Sequence, residues 1–311
     1  MYSKVNDHNI FHNLIEIGGE SGQSVVNYTW DNMGFFRLFL KKFPTNTFPK
    51  GGCEAVFSAQ QYIKATSIQQ ALELNQKRTS AILGGGCWMR LGKKNYSTLI
   101  DLSGLGLDQI EENDDEISLG AMVTLRQMET SQLLNRYFGD FFVQMVRHIV
   151  GVQFRNCATV GGSIVSRFGF SDILTGLLAL DCDVVLAQKG RISLNEYAQM
   201  PYDRDVLTHI IIKKNGRCAA YESVRNTETD LPVLTCAVSI LENSTRFVIG
   251  ARPQRAVVYE TSTDPEAMIQ KIQEETEFGS NMRASKEYRR MLSGVLCHRA
   301  LEKAKEGIKC R

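Results

Sequence analysis

Hydrophobic positions change their spacing along the chain, and these changes predict alternating helices and strands. Between Ser67 and Leu74 the apolar residues recur at helical spacing, and Ser67 stands where a helix N-cap is expected. Short apolar runs indicate strands instead. The alternation of both element types predicts an α+β fold. The predicted strands cover 80–83, 97–102, 116–120 and 183–187, and the further predicted helices cover 125–137, 139–150 and 171–180.

A turn motif, Lys-Lys-Asn-Gly-Arg at 213–217, predicts a hairpin and a domain boundary. The hairpin would join strands 207–212 and 218–224. Two more strands at 233–241 and 245–249, followed by helical spacing from Pro265 onward, predict a small second α+β domain. The predicted domains are therefore an N-terminal extension of uncertain role at 1–52, a main domain at 53–213 and a C-terminal domain at 214–311.

Residues 1–52 show weak periodicity and end in a cluster of prolines and glycines that is typical of loops. Within them, the aromatic and apolar stretch 30–43 predicts a short helix or strand packed on the main body. An arm for a partner chain is the alternative.

Charge and composition narrow the class of protein. The length of 311 residues and the hydrophobic content of 43% predict two packed cores. The 36 Lys and Arg nearly balance the 34 Asp and Glu, whereas nucleic-acid binding requires a basic excess. No apolar run approaches the roughly 18–20 residues of a membrane span, and the polar N-terminus does not resemble a secretory signal. We expect a soluble, cytosolic protein with neither nucleic acid nor membrane as a partner.

The cysteines also indicate a reducing compartment. None of the eight forms a C-x-x-C pair, so neither a zinc ribbon nor a simple iron–sulfur site is predicted. We expect scattered reduced thiols, with a cluster assembled from distant cysteines as the alternative.

Two glycine-rich segments are the candidates for chemistry. The first, Ile82–Trp88, reads I-L-G-G-G-C-W after a predicted strand; bare backbone N–H groups there could bind an anion, and a tight structural turn is the alternative. The second, Thr159–Ser163, combines two hydroxyls and two glycines in a predicted polar turn. Asp172 could accept bonds from ribose hydroxyls, or Ser171-Asp172 could simply cap a helix. Together they suggest an elongated, phosphate-bearing ligand held from two sides.

These segments and three others resemble the FAD-binding medium subunit of the molybdenum hydroxylases, of the xanthine dehydrogenase or carbon monoxide dehydrogenase type. That family has a first loop like L-A-G-G-T-D-L, an Ile-Asp-Leu strand, a G-A-x-V-T-L segment, a specific run R-N-x-A-T-V-G-G-N-I with a later S-D, and a final G-x-x-P-x-R-A. The matching residues here are Ile82–Trp88, Ile100–Leu102, Gly120–Leu125, Arg155–Ile164 with Ser171-Asp172, and Gly250–Ala256.

The resemblance implies a two-lobed FAD-binding domain of the PCMH type, followed by a small α+β domain that covers the flavin. It implies that the two glycine-rich segments hold the diphosphate of an extended FAD, that Asp172 serves the adenosine end, and that the 120–124 turn lies near the flavin. No catalytic side chain and no metal ligand are implied. The implied cofactor-binding residues are Ile82, Leu83, Gly84, Gly85, Gly86, Cys87, Trp88, Ala121, Thr124, Thr159, Val160, Gly161, Gly162, Ser163, Asp172 and Leu207.

By the same resemblance, the chain is an FAD-dependent oxidoreductase subunit like that of xanthine dehydrogenase. It would take electrons from an iron–sulfur subunit, which works with a molybdopterin-binding large subunit, and pass them to NAD+ or another acceptor. An accessory subunit with weak or no FAD binding and a free-standing flavin oxidoreductase are the alternatives.

The chain departs from the family pattern at four places. Gly86-Cys87 stands where Thr-Asp is usual, and Ser163 replaces Asn. The run Arg167–Phe170 precedes Ser171 where a Pro is frequent, and Glu222 replaces a Lys of xanthine dehydrogenase-type relatives. These departures concern flavin affinity and tuning more than the fold.

Overall fold

The computed structural model describes residues 14–17, 24–30, 36–42 and 57–309. The chain divides into two compact units between Leu102 and Ser103. The loop that closes the N-terminal extension, and with it the proline and glycine cluster, lies outside the described residues.

The first unit contains a mixed sheet. Its described strands run in the spatial order β3-β2-β1-β4-β6-β5, with β4, β5 and β6 parallel to one another. Ser67 caps α1 by accepting a hydrogen bond from the amide of Gln70, as the sequence predicts. The elements are β1 (Leu14–Ile17), β2 (Ser24–Trp30), β3 (Phe36–Lys42), β4 (Ser58–Lys64), α1 (Ile68–Asn75), β5 (Ser80–Leu83), a 3₁₀ turn (Met89–Leu91) and β6 (Asn95–Asp101).

The second unit begins with an antiparallel sheet, in the order β10-β9-β11-β8-β7, and a group of short helices. Strand β11 is central and pairs with β8 on one side and β9 on the other. Its residues Leu207, Thr208, Ile210 and Ile212 are buried. The elements are β7 (Ile110–Glu112), β8 (Glu116–Gly120), α2 (Leu125–Thr130), α3 (Gln132–Phe138), α4 (Phe141–Val146), α5 (Val152–Cys157), α6 (Val160–Val165), α7 (Asp172–Ala179), β9 (Cys182–Leu186), β10 (Gly190–Ser193), α8 (Leu194–Gln199) and β11 (Leu207–Lys213).

A second antiparallel sheet, β12-β13-β14-β15, completes this unit. The long helix α10 packs across β12 and β13, and this packing buries a cluster of apolar side chains such as Val238, Phe247 and Leu296. The elements are β12 (Cys218–Val224), β13 (Leu234–Leu241), β14 (Ser244–Gly250), β15 (Val257–Thr261), α9 (Pro265–Glu275) and α10 (Lys286–Lys309). The α+β class is therefore confirmed.

Two predicted helices are shorter in the structure. The helix predicted at 125–137 is two helices that meet at Ser131, whose ψ of 113° is extended and whose hydroxyl accepts a hydrogen bond from the amide of Leu134. Serine competes with the helix for backbone hydrogen bonds, so the chain caps a new helix there instead of continuing. The helix predicted at 139–150 is limited to Phe141–Val146.

The predicted hairpin at 213–217 is wrong. β11 pairs with β8 and β9, whereas β12 pairs with β13, so the segment connects two different sheets. The Arg217 Nε donates to Asp181 at 3.0 Å, and its Nη1 donates to the Ser239 hydroxyl at 3.2 Å. These contacts direct β12 away from β11. The domain limits placed here stay a prediction.

Helix α7 joins the two sheets of the second unit. All eight of its residues are buried, and it packs against β13 and β14 as well as α4 and α6. Gly250 permits this contact, because a Cβ there would lie 2.1 Å from the Thr175 hydroxyl and 2.5 Å from that of Thr235. A side chain at position 250 would therefore separate the helix from the C-terminal sheet.

A buried arginine fixes the helices that precede the second glycine-rich segment. Arg155 on α5 donates from Nε to Glu129 Oε2 at 2.9 Å and from Nη2 to Oε1 at 3.1 Å, while Nη1 reaches the carbonyl oxygens of Arg147 and Ile149. Burial alone raises the pKa of Glu129, but the bonds from Arg126 and Arg155 outweigh it and hold that pKa below 4.5. This pair ties α5 to α2.

We expect Arg155→Met to lower the free energy of unfolding by about 3–5 kcal/mol, because Glu129 keeps its buried charge without its main partner. Arg126→Met is the matched control: Arg126 bonds the same carboxylate but is 38% exposed, and we expect its loss to cost about 1 kcal/mol or less. Urea unfolding measures both values.

The same pair predicts a pH dependence. A depressed carboxylate pKa gives stability that is present above the unfolded value and is lost as the pH falls through the folded value. The difference in unfolding free energy between the native chain and Arg155→Met should therefore shrink below pH 4.5. A difference that stays constant with pH would show that Arg155 acts through packing alone.

A second buried arginine organises the C-terminal domain. Arg289 on α10 is fully buried and donates to the carbonyl oxygens of Val233, Gly279 and Ala284 and to Asn281 Oδ1, at 2.6–2.8 Å. One guanidinium thus anchors the connection between α9 and α10 to Val233, at the N-terminal end of β13.

Arg289→Met should lower the free energy of unfolding by at least about 3 kcal/mol, because it removes a buried donor from four oxygen acceptors. The Ala284 carbonyl and Asn281 Oδ1 each keep one other donor, the amides of Asn281 and Arg283. Its neighbour Arg290 is exposed, and Arg290→Met should change that free energy by about 0.5 kcal/mol or less. Equal losses in the two variants, measured by thermal and urea unfolding, would contradict the anchoring role.

Candidate functional site

The first glycine-rich segment forms an open turn after β5. Ile82 and Leu83 end the strand, and Gly86 has a φ of +68°, a conformation that favours glycine. The Gly86 carbonyl accepts a hydrogen bond from the Arg90 amide at 3.1 Å, which begins the 3₁₀ turn. The backbone amides of Gly85 and Gly86 donate to no acceptor in the described part of the chain. These free N–H groups suit an anion.

Two further predicted residues lie on the same turn. The Cys87 Sγ lies 3.6 Å from the carbonyl oxygen of Gly85, and the Trp88 side chain is 47% exposed. The chain thus carries a thiol and an exposed indole beside Gly84, in place of the hydroxyl and carboxylate that the family pattern contains.

The second glycine-rich segment is a helix start and not the polar turn that the sequence predicts. Thr159 is the N-cap of α6, and its hydroxyl accepts a hydrogen bond from the Gly162 amide at 3.1 Å. A threonine cap followed by small residues favours this short helix. The Thr159 hydroxyl hydrogen has no acceptor among the residues that the model describes, so it remains available to a ligand.

The other amides of this segment are already used inside the protein. The Val160 amide donates to the Val123 carbonyl at 2.8 Å, the Gly161 amide to the Ala121 carbonyl at 2.9 Å, and the Ser163 amide to the Thr159 carbonyl at 3.1 Å. The segment therefore offers a phosphate fewer backbone donors than a bare loop would.

Its two glycines have different reasons to be glycine. A Cβ on Gly161 would lie 2.6 Å from the Ala121 carbonyl oxygen, so Gly161 lets α6 pack against the 120–124 turn. Gly162 is exposed, and its Cβ would meet only the Thr159 hydroxyl, at 3.1 Å. Gly162 thus presents bare backbone that a ligand can approach closely.

The structure brings several predicted residues of the second unit together. Thr124 and Thr159 form an antiparallel bridge, and the Ala121 amide donates to the Thr208 carbonyl at 2.8 Å. Leu207, which begins β11, is buried beside this turn. The Thr124 hydroxyl both accepts from the Gln127 amide and donates to the Gln127 side chain, so it is occupied as the cap of α2.

Ser171 and Asp172 follow on α7. Ser171 caps the helix through the Leu174 amide, and its hydroxyl lies 3.0 Å from the Ser163 carbonyl oxygen. The Asp172 carboxylate accepts hydrogen bonds from the Tyr221 hydroxyl, at 2.6 Å, and from Arg225. Burial raises the pKa of Asp172, although Arg225 and Tyr221 oppose this shift. The carboxylate thus faces β12, and its contact with adenosine stays a prediction.

Glu222, the fourth departure from the family pattern, is paired. The Lys303 ammonium group on α10 reaches the Glu222 carboxylate. This ion pair joins β12 to α10.

Arg167 is a candidate residue to which the sequence analysis assigned no role in the site. It lies between the segment 159–163 and Ser171, is 8% exposed, and has a φ of 47°. Its Nε donates to the Tyr197 carbonyl at 3.1 Å, yet its two terminal nitrogens have no hydrogen-bond partner within the described ranges. The signal in the sequence that could have identified Arg167 is its position between two candidate cofactor segments, 159–163 and Ser171-Asp172.

Neither a metal site nor a membrane span is found in the described residues. No group of three His, Cys, Asp or Glu residues there could hold a metal ion. Among the same residues, no helix is long and apolar enough to cross a membrane. Cys236 and Cys297 are both buried, with their sulfur atoms 3.7 Å apart.

These features fit an FAD. In the first unit, the free amides of Gly85 and Gly86 suit an anion. In the second unit, the bare backbone of Gly162 and the Thr159 hydroxyl suit a phosphate.

Comparisons with known proteins support this interpretation. The family model "FAD binding domain in molybdopterin dehydrogenase" matches residues 56–214. The protein YgfM of Escherichia coli (strain K12) is 27% identical over 250 residues, which cover 76% of this chain and 93% of that protein. Subunit alpha of the 6-hydroxypseudooxynicotine dehydrogenase complex of Paenarthrobacter nicotinovorans is 26% identical over 157 residues, 48% of this chain and 51% of that subunit.

Solved structures share the fold. The reconstituted CO dehydrogenase from Oligotropha carboxidovorans contains a chain that superimposes with a TM-score of 0.70 at 22% identity, covering 79% of this chain and 98% of that one. The family match spans the second glycine-rich segment and the open turn after β5 alike. The chain therefore belongs to the family of FAD-binding domains of molybdopterin dehydrogenases, and it is a flavoprotein subunit of a molybdenum hydroxylase-type oxidoreductase with FAD as its cofactor.

Proposed function

We propose that this chain holds FAD at the residues named from the sequence and transfers electrons from a partner subunit to NAD+ or another acceptor. The observation that carries the proposal is the exposed, bare backbone of Gly162 beside the free Thr159 hydroxyl hydrogen, inside the matched family region. A hydroxyl next to unobstructed backbone is what close binding of a phosphate requires.

The protein residues bind and orient, and FAD supplies the ability to accept and release electrons when it is bound. The Thr159 hydroxyl would donate to a phosphate oxygen of FAD, and the Gly85 and Gly86 amides of the first unit would offer further donors to an anion. Ala121 and Leu207, both buried, exclude water from one side of the cofactor. The electron transfer needs no acid or base from this chain.

We extend the proposal to the domain limits. Residues 53–213 would form the FAD-binding domain, and residues 214–311 would cover the flavin. Supporting this, the buried contact of Asp172 with Tyr221 and Arg225 fastens the start of α7 to the C-terminal sheet. Ser171, the N-cap of α7, also donates to the Ser163 carbonyl. The start of α7 therefore connects the C-terminal sheet to the second glycine-rich segment.

The partners in this proposal are an iron–sulfur subunit and a molybdopterin-binding large subunit, in a complex like xanthine dehydrogenase, in the cytoplasm. Support comes from the name of the Paenarthrobacter relative, which is a subunit of a dehydrogenase complex. The large subunit would select the substrate.

Gly162→Leu should abolish flavin retention while leaving the fold intact, because the new side chain extends from an exposed position where a Cβ meets only the Thr159 hydroxyl, at 3.1 Å. Gly307→Leu is the matched control, since it adds the same side chain near the end of α10, where a Cβ meets nothing within 4 Å. Thr159→Ser, which keeps the cap and the hydroxyl, should retain flavin. Absorbance of the purified proteins and chromatography of the chromophore released by heat measure the result.

The alternatives predict other outcomes. A native chain that stays colourless with excess FAD and its partner subunits would favour an accessory subunit. Reduction of the flavin in the isolated chain by a small-molecule substrate would favour a free-standing oxidoreductase. Full flavin content in Gly162→Leu would show that the second glycine-rich segment does not approach the cofactor.

A further inference from the structure

We propose that Arg167 binds a phosphate oxyanion with its two free terminal nitrogens. The phosphate would belong either to the diphosphate of FAD, an assignment that rests on the proposed function, or to a free phosphate held beside the cofactor site. Arg167 is absent from the family motif, so nothing in the resemblance assigns it this role.

Hydrogen bonds to α6 and to the second glycine-rich segment fix the position of Arg167. Its amide donates to the Ile164 carbonyl at 3.0 Å, which closes the last turn of α6. The hydroxyls of Ser166 and Ser171 both donate to the Ser163 carbonyl, at 3.3 Å and 3.0 Å. The loop that carries Arg167 is thus fastened on Ser163, at the end of the segment proposed to hold FAD.

The guanidinium group is oriented but only partly used. Its Cζ lies 4.1 Å from the centre of the Tyr197 ring, and Nε donates to the Tyr197 carbonyl. Nη1 and Nη2 are buried without a partner in the described part of the chain. Because arginine stays protonated and unpaired buried donors are unfavourable, this arrangement calls for an acceptor.

The nearby carboxylates do not neutralise Arg167. Asp203 pairs with Lys189, and Asp205 accepts hydrogen bonds from the amides of Gln188 and Lys189. Both carboxylates lie close enough to Tyr197 to help burial raise the pKa of that residue to about 12. No ion pair joins either of them to Arg167 within the described residues.

Capping of α8 does not explain the residue either. Arg255 donates from Nη1 to the carbonyls of Ala198 and Gln199, at 3.2 Å and 2.7 Å, so the C-terminal end of this helix already has a cation. Arg167 also holds a left-handed backbone conformation, with a φ of 47°, which costs free energy for any residue with a side chain. Strain of this kind is concentrated at binding sites.

A phosphate matches what is missing. The two terminal nitrogens of a guanidinium group can donate in parallel to two oxygens of one phosphate, and stacking on Tyr197 fixes the plane of the fork. The neighbouring amides of Val160, Gly161 and Ser163 are engaged within the protein. Arg167 therefore supplies the donors and the positive charge that the segment itself does not.

The test uses the full chain, reversibly stripped of flavin, and isothermal titration with FAD, riboflavin and inorganic phosphate. Arg167→Gln should weaken FAD binding about tenfold or more and leave riboflavin binding unchanged, because riboflavin has no phosphate. Arg167→Lys, which keeps the charge but not the fork, should fall between. Arg255→Gln, from the same helix end, should bind FAD as the native chain does.

A structural role would not reproduce this pattern, and phosphorus NMR of bound FAD adds an independent readout. In Arg167→Lys, the phosphorus resonances should shift relative to the native chain, even if Arg167→Gln fails to fold. Unchanged FAD affinity together with loss of stabilisation by inorganic phosphate in Arg167→Gln would assign the free-phosphate source.

The inference and the proposed function fail in distinguishable ways. If Gly162→Leu loses FAD while every Arg167 variant binds both FAD and phosphate like the native chain, the Arg167 site is wrong and the FAD site stands. If the native chain does not bind FAD, the proposed function is wrong, and the phosphate titration alone decides on Arg167.

Discussion

The candidate site depends on one short backbone pairing. The segment 121–125 and the segment 158–161 exchange hydrogen bonds around the bridge between Thr124 and Thr159. This pairing places the start of α2, the start of α6 and the beginning of β11 side by side. It also consumes the amides of Val160 and Gly161, so the same contact that builds the site removes donors from it.

The pairing explains why two adjacent glycines are needed. At Gly161 the backbones come so close that a Cβ would overlap the Ala121 carbonyl, whereas Gly162 faces outward into open space. One glycine is required by the protein and the other suits a ligand. Arg155 supports this geometry, since its bonds to Glu129 tie α5, which ends one residue before Ala158, to α2.

Local patterns in the sequence predicted the elements that depend on local interactions. The cap at Ser67, strand β5 and helix α7 all agree with the structure. The sequence does not predict the break at Ser131, because serine is tolerated within helices. Its role as an N-cap is visible only from the hydrogen bond that its hydroxyl accepts from the Leu134 amide. The false hairpin at 213–217 has a different cause: strand partners are chosen by long-range burial, which a turn motif does not encode.

The sequence predicts those candidate site residues whose roles follow from residue type within a short motif. Glycines, Thr159 and Ser171 could be named because residue type alone suggests their roles. Arg167 could not, since its meaning comes from two unpartnered nitrogens and from the absence of a paired carboxylate in the described surroundings. Charge must balance in a buried site. The second glycine-rich segment uses the amides of Val160, Gly161 and Ser163 within the protein. The proposed contact of Arg167 with a phosphate would therefore supply both the donors and the positive charge that a doubly charged diphosphate requires.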